Sequence, residues 1–212
     1  GALLGLVGGL VLVAFGLGRR AWGAVLMGIF LALFLLPYLM PLLPAGILQR
    51  FSDLARYVGQ DLTAIEITDE NFSIVERLAH WQAAWRMFAA HPWLGVGTGQ
   101  YATAYPSVAL PRWQDPLGHA HNYYLHVLAE GGLVGLVGYL TLLAASALGV
   151  WRRVLGWEAL SSALSLGVLG MLGHLSIHNF FDNLYVHEMY FLVAILLGLV
   201  LHERQCEERS IS

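Results

Sequence analysis

Lysine is absent from this chain, cysteine occurs once, and charged residues of every kind make up only 12% of its 212 positions. A soluble domain usually carries about twice that charged fraction. The single cysteine, Cys206, excludes a disulfide framework and a cysteine-based metal site. All eleven basic residues are arginines, and they are scattered. No basic stripe of the kind nucleic acid requires is present, so a nucleic-acid partner is not expected. The net charge of −3 says little about partners, and there is no internal repeat.

What the chain has in excess is apolar residues, 58% of the total, gathered in long runs. A membrane-spanning helix needs roughly 20 such residues. Four runs reach spanning length, at about 2–17, 22–43, 133–150 and 159–177, and a shorter fifth lies at 189–201 with His187 and Glu188 at its edge. The expected fold is all-α: a polytopic transmembrane helical bundle of about five spans with a large helical extracytoplasmic loop at about 44–132. The chain opens in apolar sequence with no initiator Met and no basic n-region, so it is read as the C-terminal portion of one membrane domain of a longer protein.

Threading five spans puts Arg19-Arg20, Arg152-Arg153 and the tail with Arg204 and Arg209 on one face. The positive-inside bias makes that face cytoplasmic, the C-terminus with it, and leaves the long loop outside. Within the loop, Ile47, Phe51, Leu54 and Val58 share one helical face, an amphipathic pattern suited to the membrane interface. Next, Ser73 and Glu76 have capping-box spacing. Ile74, Leu78, Trp81, Trp85 and Phe88 then recur at helical spacing, and Pro92 should end that helix near Ala90.

The stretch "GHAHNYYLHVLAEGGLVG" crowds His119, His121, Asn122, His126 and Glu130 against the start of an apolar run. A helix beginning near Asn122 would leave His121 beside unpaired backbone N–H groups. Those groups favour an approaching phosphate, and the positive end of the helix dipole suits a histidine that accepts a proton. The competing reading of His121 is a cap or an interface anchor. His119 and His121 also form a His-x-His pair that His126, His80 or His91 would have to complete as a metal site, but no recognisable ligand spacing supports one. His126 and Glu130 are four apart, as in a plain side-chain pair.

Arg77, Arg86 and Arg112 are candidates for holding an anionic substrate, since guanidinium grips phosphate in two places and stays charged. With Ser73 as the cap, Arg77 falls in the first turn of a helix, where a cation is unfavourable and a functional reason gains weight. "GVGTG" lacks the strand a dinucleotide fingerprint needs and reads as a turn or a backbone nest for phosphate. His174, His178 and Asp182 would stack on one face if the fourth span continued, a structural or supporting group, and Gly167, Gly170 and Gly173 suggest close helix packing there.

Together these blocks resemble a known family. His121-Asn122, nine residues, then Gly132 and Gly135 give an H-N-x9-G-x-x-G pattern. "ERLAHWQAAWRMFAAHPWLGVGTGQY" is similar to that family's R…W…HP-x-x-GVG-x-G block, and "HNFFDN" resembles a short motif that often follows. The pattern is that of the O-antigen ligase and O-antigen polymerase superfamily, and it covers the chain from about Ile74 to the last span. The resemblance implies a bacterial inner-membrane glycosyltransferase, without cofactor or metal, with its large loop in the periplasm. Its donor would be a polyprenyl-pyrophosphate-linked glycan and its acceptor lipid A–core, another glycan or protein. The family's loop histidine falls on His121 and its loop arginine on Arg77. Arg86, Arg112, His119 and Asn122 would contact substrate. A further family arginine, on an earlier loop, has no counterpart here. The alternative is a transporter or permease fragment, against which the ionisable residues gather in the outer loop and not at mid-span.

Overall fold

The computed structural model describes residues 1–18, 22–23, 26–28, 30–31, 34–35, 38, 56–155, 159–186 and 188–211, with 159–161 and 203–211 in backbone only. Among the described residues every regular element is helical and no strand occurs. The helices are α1 (Ala2–Gly16), α2 (Phe72–Ala90), the short α3 (Tyr101–Ala104) running into a 3-10 turn (Tyr105–Ser107), α4 (Tyr123–Val154), α5 (Ala159–His178) and α6 (Met189–Ile211). The expected amphipathic face of Ile47, Phe51 and Leu54, the pair Arg19-Arg20 and most of the 22–43 run lie outside the described residues. The chain divides into two compact units, Gly1–Met27 with Gly138–Ser212, and Gly28–Val137.

In the first unit, α1 meets α5 through glycines. A Cβ on Gly9 would run into the Gly170 carbonyl, and one on Gly5 into His174. From the other side, Gly170 and Gly173 have no room for a side chain against Val13 and Leu12. Small residues let two backbones approach closely where apolar solvent gives no hydrophobic drive. Two of the three α5 glycines thus act as expected, while Gly167 faces open space. Val150, Val168, Leu169, Leu172, Leu175, Val193 and Val200 form the core against α4 and α6. His174 and His178 lie one turn apart with their rings edge-on, centroids at 5.5 Å. The helix stops at His178, and Asp182 sits in the turn beyond, its N–H donating to the His178 carbonyl at 3.2 Å and its carboxylate accepting from the Asn183 N–H at 2.9 Å.

One described helix, α4, is long and apolar enough to cross a membrane. Its stretch after Gly132 is roughly 33 Å long at 1.5 Å per residue, which matches a hydrocarbon core of about 30 Å. Ala2–Gly16, Ser162–His178 and Met189–His202 are apolar but shorter.

In the second unit, α2 is the spine. It ends at His91 before Pro92, as the proline dictates. Its start differs from expectation. The helix begins at Phe72, which places Ser73 inside it and leaves the capping box unformed. Asn71 takes over the entry: its side-chain oxygen accepts from the Thr68 N–H at 2.8 Å and its amide donates to the Glu66 carbonyl at 2.9 Å. The buried face is also rotated from the expected one. Ile74 and Leu78 are buried, but Val75, Ala79, His80, Ala83, Ala84 and Met87 complete the face, and Trp85 is left exposed. Alanines let the short loop elements pack close to α2 in a way that large side chains would not, so the core follows them and not the bulkiest residues.

Candidate active site

The loop that carries the histidines approaches α4 in a strained conformation. Asp115 accepts from the Leu117 N–H at 3.0 Å, and Leu117, Gly118 and His121 all have positive φ. At His121 φ is 51°, a region a side chain other than glycine's rarely occupies without compensation. Three contacts hold it. Its carbonyl accepts from the Trp81 indole N–H at 3.1 Å, and its N–H donates to His119 Nδ1 at 3.2 Å. The next residue, Asn122, is buried and caps α4, accepting from the Leu125 N–H at 3.0 Å. His121 therefore stands at the N-terminal edge of a helix, as its neighbour sequence predicts.

The His121 ring lies edge-on to His119, with centroids at 4.4 Å, and edge-on to His80 at 5.5 Å. His80 is fully buried, stacks on Tyr105 at 4.8 Å and meets the Tyr101 hydroxyl through Nδ1 at 3.3 Å. Burial pushes the His80 pKa down to about 4, His121 and His119 adding to the effect and Asp115 opposing it. Burial likewise pushes Tyr105 up to about 12, with Glu76 and Asp115 contributing, and it raises Tyr101. The wall behind His121 is thus neutral at any physiological pH. The sequence marks Trp81 as core and His80 only as a possible metal ligand; their place beside His121 has no signal beyond following Arg77 by three and four residues, one helical turn.

That spacing places Arg77 on the same side of α2 as Trp81 and His80. Arg77 is half-buried and donates to the Ser73 carbonyl at 3.4 Å. It lies in the second turn of α2 and not the first, so the dipole argument for it does not hold. Arg86 follows nine residues later, two and a half turns on, and faces the opposite way. It is exposed and donates to the Val108 carbonyl at 2.8 Å. Arg112 is exposed in the connection that follows. The fold therefore brings His119, His121 and Asn122 together at the start of α4 against Trp81 and His80 of α2, while Arg77 shares their side of α2 by helical spacing and Arg86 points away. His119 and His121 are the adjacent imidazoles best suited to share a cation, although His119 Nδ1 is taken by the backbone.

The "GVGTG" turn proves to be a nest for the chain's own carboxylate. Glu130 accepts from the Gly99 N–H at 2.8 Å and the Tyr101 N–H at 2.9 Å. The reason lies in α4, which breaks at Gly132 (φ 60°, ψ −158°). The carbonyls freed by the break, those of Ala129 and Glu130, accept from Val96 and Gly97 N–H, while Leu133 and Val134 N–H donate to the carbonyls of Pro92 and Trp93. Gly95 and Gly132 have no space for a Cβ where the two segments touch. The two sequence blocks are thus the two halves of one clasp, and the clasp fixes the break at Gly132 and anchors the leading segment of α4 that His121 precedes.

A family model described as O-antigen ligase matches residues 1–140, which takes in α1, α2, the histidine loop and both glycines of the clasp. "HNFFDN" lies beyond the matched residues. No curated protein matches the chain. The match spans more than half of the sequence and includes both blocks of the clasp, and on that ground the chain belongs to the O-antigen ligase family.

Proposed function

We propose that this protein transfers a glycan from a polyprenyl-pyrophosphate carrier to a hydroxyl acceptor on the periplasmic side of the bacterial inner membrane, as a ligase or polymerase of surface polysaccharide assembly. In this reading the chain contributes about five spans and the large loop to a membrane bundle, with its C-terminus cytoplasmic. His121 takes the proton from the acceptor hydroxyl as that oxygen attacks the anomeric carbon. The bond from that carbon to the phosphate oxygen breaks, and polyprenyl pyrophosphate leaves with the electron pair. Direct displacement inverts the anomeric centre. General-base assistance of this kind is worth on the order of 10²–10⁴-fold.

Arg77 opposes the charge that grows on the departing pyrophosphate, where a fixed cation helps most in the transition state. His119 and Asn122 keep His121 in place through their bonds to its N–H and to the helix it precedes. Arg112, exposed in the loop, would meet substrate from outside. Neither a metal nor a cofactor is needed for any of these steps.

The observation that carries this reading is the strained His121, fastened on both sides of its peptide unit and facing a neutral wall. A histidine used only as an anchor gains nothing from such a conformation, whereas strain gathers where geometry serves a reaction. The test is release of polyprenyl pyrophosphate by the full-length protein in liposomes holding a carrier-linked glycan, with lipid A–core, glycan and peptide acceptors supplied in turn. Release that depends on one acceptor supports the reading and names the acceptor. Movement of solute across the bilayer, with no release under any acceptor, would replace it with transport.

A further inference from the structure

The end of α2 and the turn after it carry large apolar side chains that no described residue of their unit covers. Trp85 is 55% exposed, Trp93 68% and Leu94 70%. Trp85 is packed on Phe88, with ring centroids at 5.2 Å, and Trp93 and Leu94 follow in the turn that begins at Pro92. Patches of this kind on a well-packed unit mark a partner or a membrane.

We propose that this patch, from Trp85 to Leu94, beds into the outer-leaflet boundary between lipid headgroups and acyl chains. Three observations favour lipid as the occupant. The first is continuity. The Pro92 and Trp93 carbonyls accept from Leu133 and Val134 N–H at 2.9 and 3.2 Å, which fastens the turn to the first residues of the membrane-crossing stretch of α4. There Val134 is 58% and Val137 61% exposed, so one apolar surface runs from the turn onto the helix.

The second observation is charge. No Asp or Glu occurs between Glu76 and Asp115, while Arg86 stands next to Trp85 and His91 next to Pro92. A cation next to Trp85, with Glu130, the carboxylate bonded to the following turn, already engaged by the Gly99 and Tyr101 N–H groups, complements lipid phosphate. Tryptophan itself favours that depth, with an apolar body and one N–H for the wet side.

The third is rigidity. The clasp at Gly95 and Gly132 has no slack for a side chain, so the turn is held at a fixed height on α4. The same clasp anchors the leading segment of α4 that His121 precedes, and the patch would therefore set the height of the histidine loop above the lipid. The proposal rests on α4 crossing a bilayer and not on the chemistry assigned to His121.

The experiment uses the full-length protein with its native cysteines replaced, reconstituted in phosphatidylethanolamine and phosphatidylglycerol vesicles. Single cysteines replace Leu94, Val137 or Arg112 and carry a nitroxide label. Collision with oxygen and with a water-soluble nickel chelate is compared, calibrated against lipids labelled at the headgroup and along the acyl chain. The expected result is a Leu94→Cys label at the depth of the upper acyl chain, a deeper Val137→Cys label, and an Arg112→Cys label in water. A Leu94→Cys label as open to nickel as Arg112→Cys would overturn the proposal. So would one reached by neither reagent, which would show protein covering the patch. A Val137→Cys label in water would show that α4 does not cross. Pyrophosphate release by the same variants reads the chemistry separately.

Discussion

His121 in the loop unit and His178 in the helical unit each stand beside a second histidine, yet the chain holds them in opposite ways. His174 and His178 ride one turn apart on a regular helix, at the end that packs on the glycines of α1. Nothing about their backbone departs from what a helix would do unaided. His121 has a left-handed backbone, and an indole and a second imidazole are bonded to its peptide unit. Behind it lies a layer of aromatic rings that stay neutral. Effort of this kind at one histidine, and its absence at another, separates a group the fold positions from a group the fold merely packs.

The comparison can be sharpened or broken by substitution. His121→Ala carries the largest expected effect, a loss of about 10²–10⁴-fold in the chemical step. Arg77→Gln should follow with about 10–100-fold, the equivalent of one charged hydrogen bond, and Arg77→Lys should recover part of it. Steady-state release rates check both. Gly132→Ala places a side chain where φ and ψ suit glycine alone and where Trp93 already stands, so it should cost at least about 1–3 kcal/mol and loosen the clasp. Limited proteolysis of the loop reports it.

His80 supplies a pH test. Its folded pKa lies near 4, below the unfolded value of about 6.5, so the unfolded chain binds the proton more readily. Its contribution to stability is full above pH 6.5 and is lost as pH falls toward 4. The loop unit's melting temperature should fall across that window, and His80→Phe should flatten the fall. His178→Gln has the smallest expected effect, with release within about twofold of wild type. A loss at His178 as large as that at His121 would break the comparison outright.

Local signals were legible in the sequence and distant partners were not. The end of α2 follows from Pro92, the edge position of His121 from Asn122, and the close approach of α5 to α1 from Gly170 and Gly173. The capping box was misleading because Thr68 and Asn71 offered the backbone a competing set of bonds just upstream. His80 is legible in the sequence only as a possible metal ligand, because a histidine among alanines carries no mark of burial, whereas Trp81 and Trp85 look like core. The "GVGTG" turn was open to a phosphate only while its true occupant, Glu130, thirty-one positions from Gly99, was out of view. The left-handed backbone of His121 has only a weak propensity signature, histidine being among the residues enriched there. It exists because contacts from α2, forty residues away in the chain, hold it.

The most direct measurement is the single-turnover rate of polyprenyl pyrophosphate release at saturating donor and acceptor, for wild type and His121→Ala from matched, folded preparations. The account predicts a fall of at least about a hundredfold with donor affinity unchanged. A rate within about twofold of wild type would remove His121 from the chemistry and leave its strained backbone as a feature of the clasp alone.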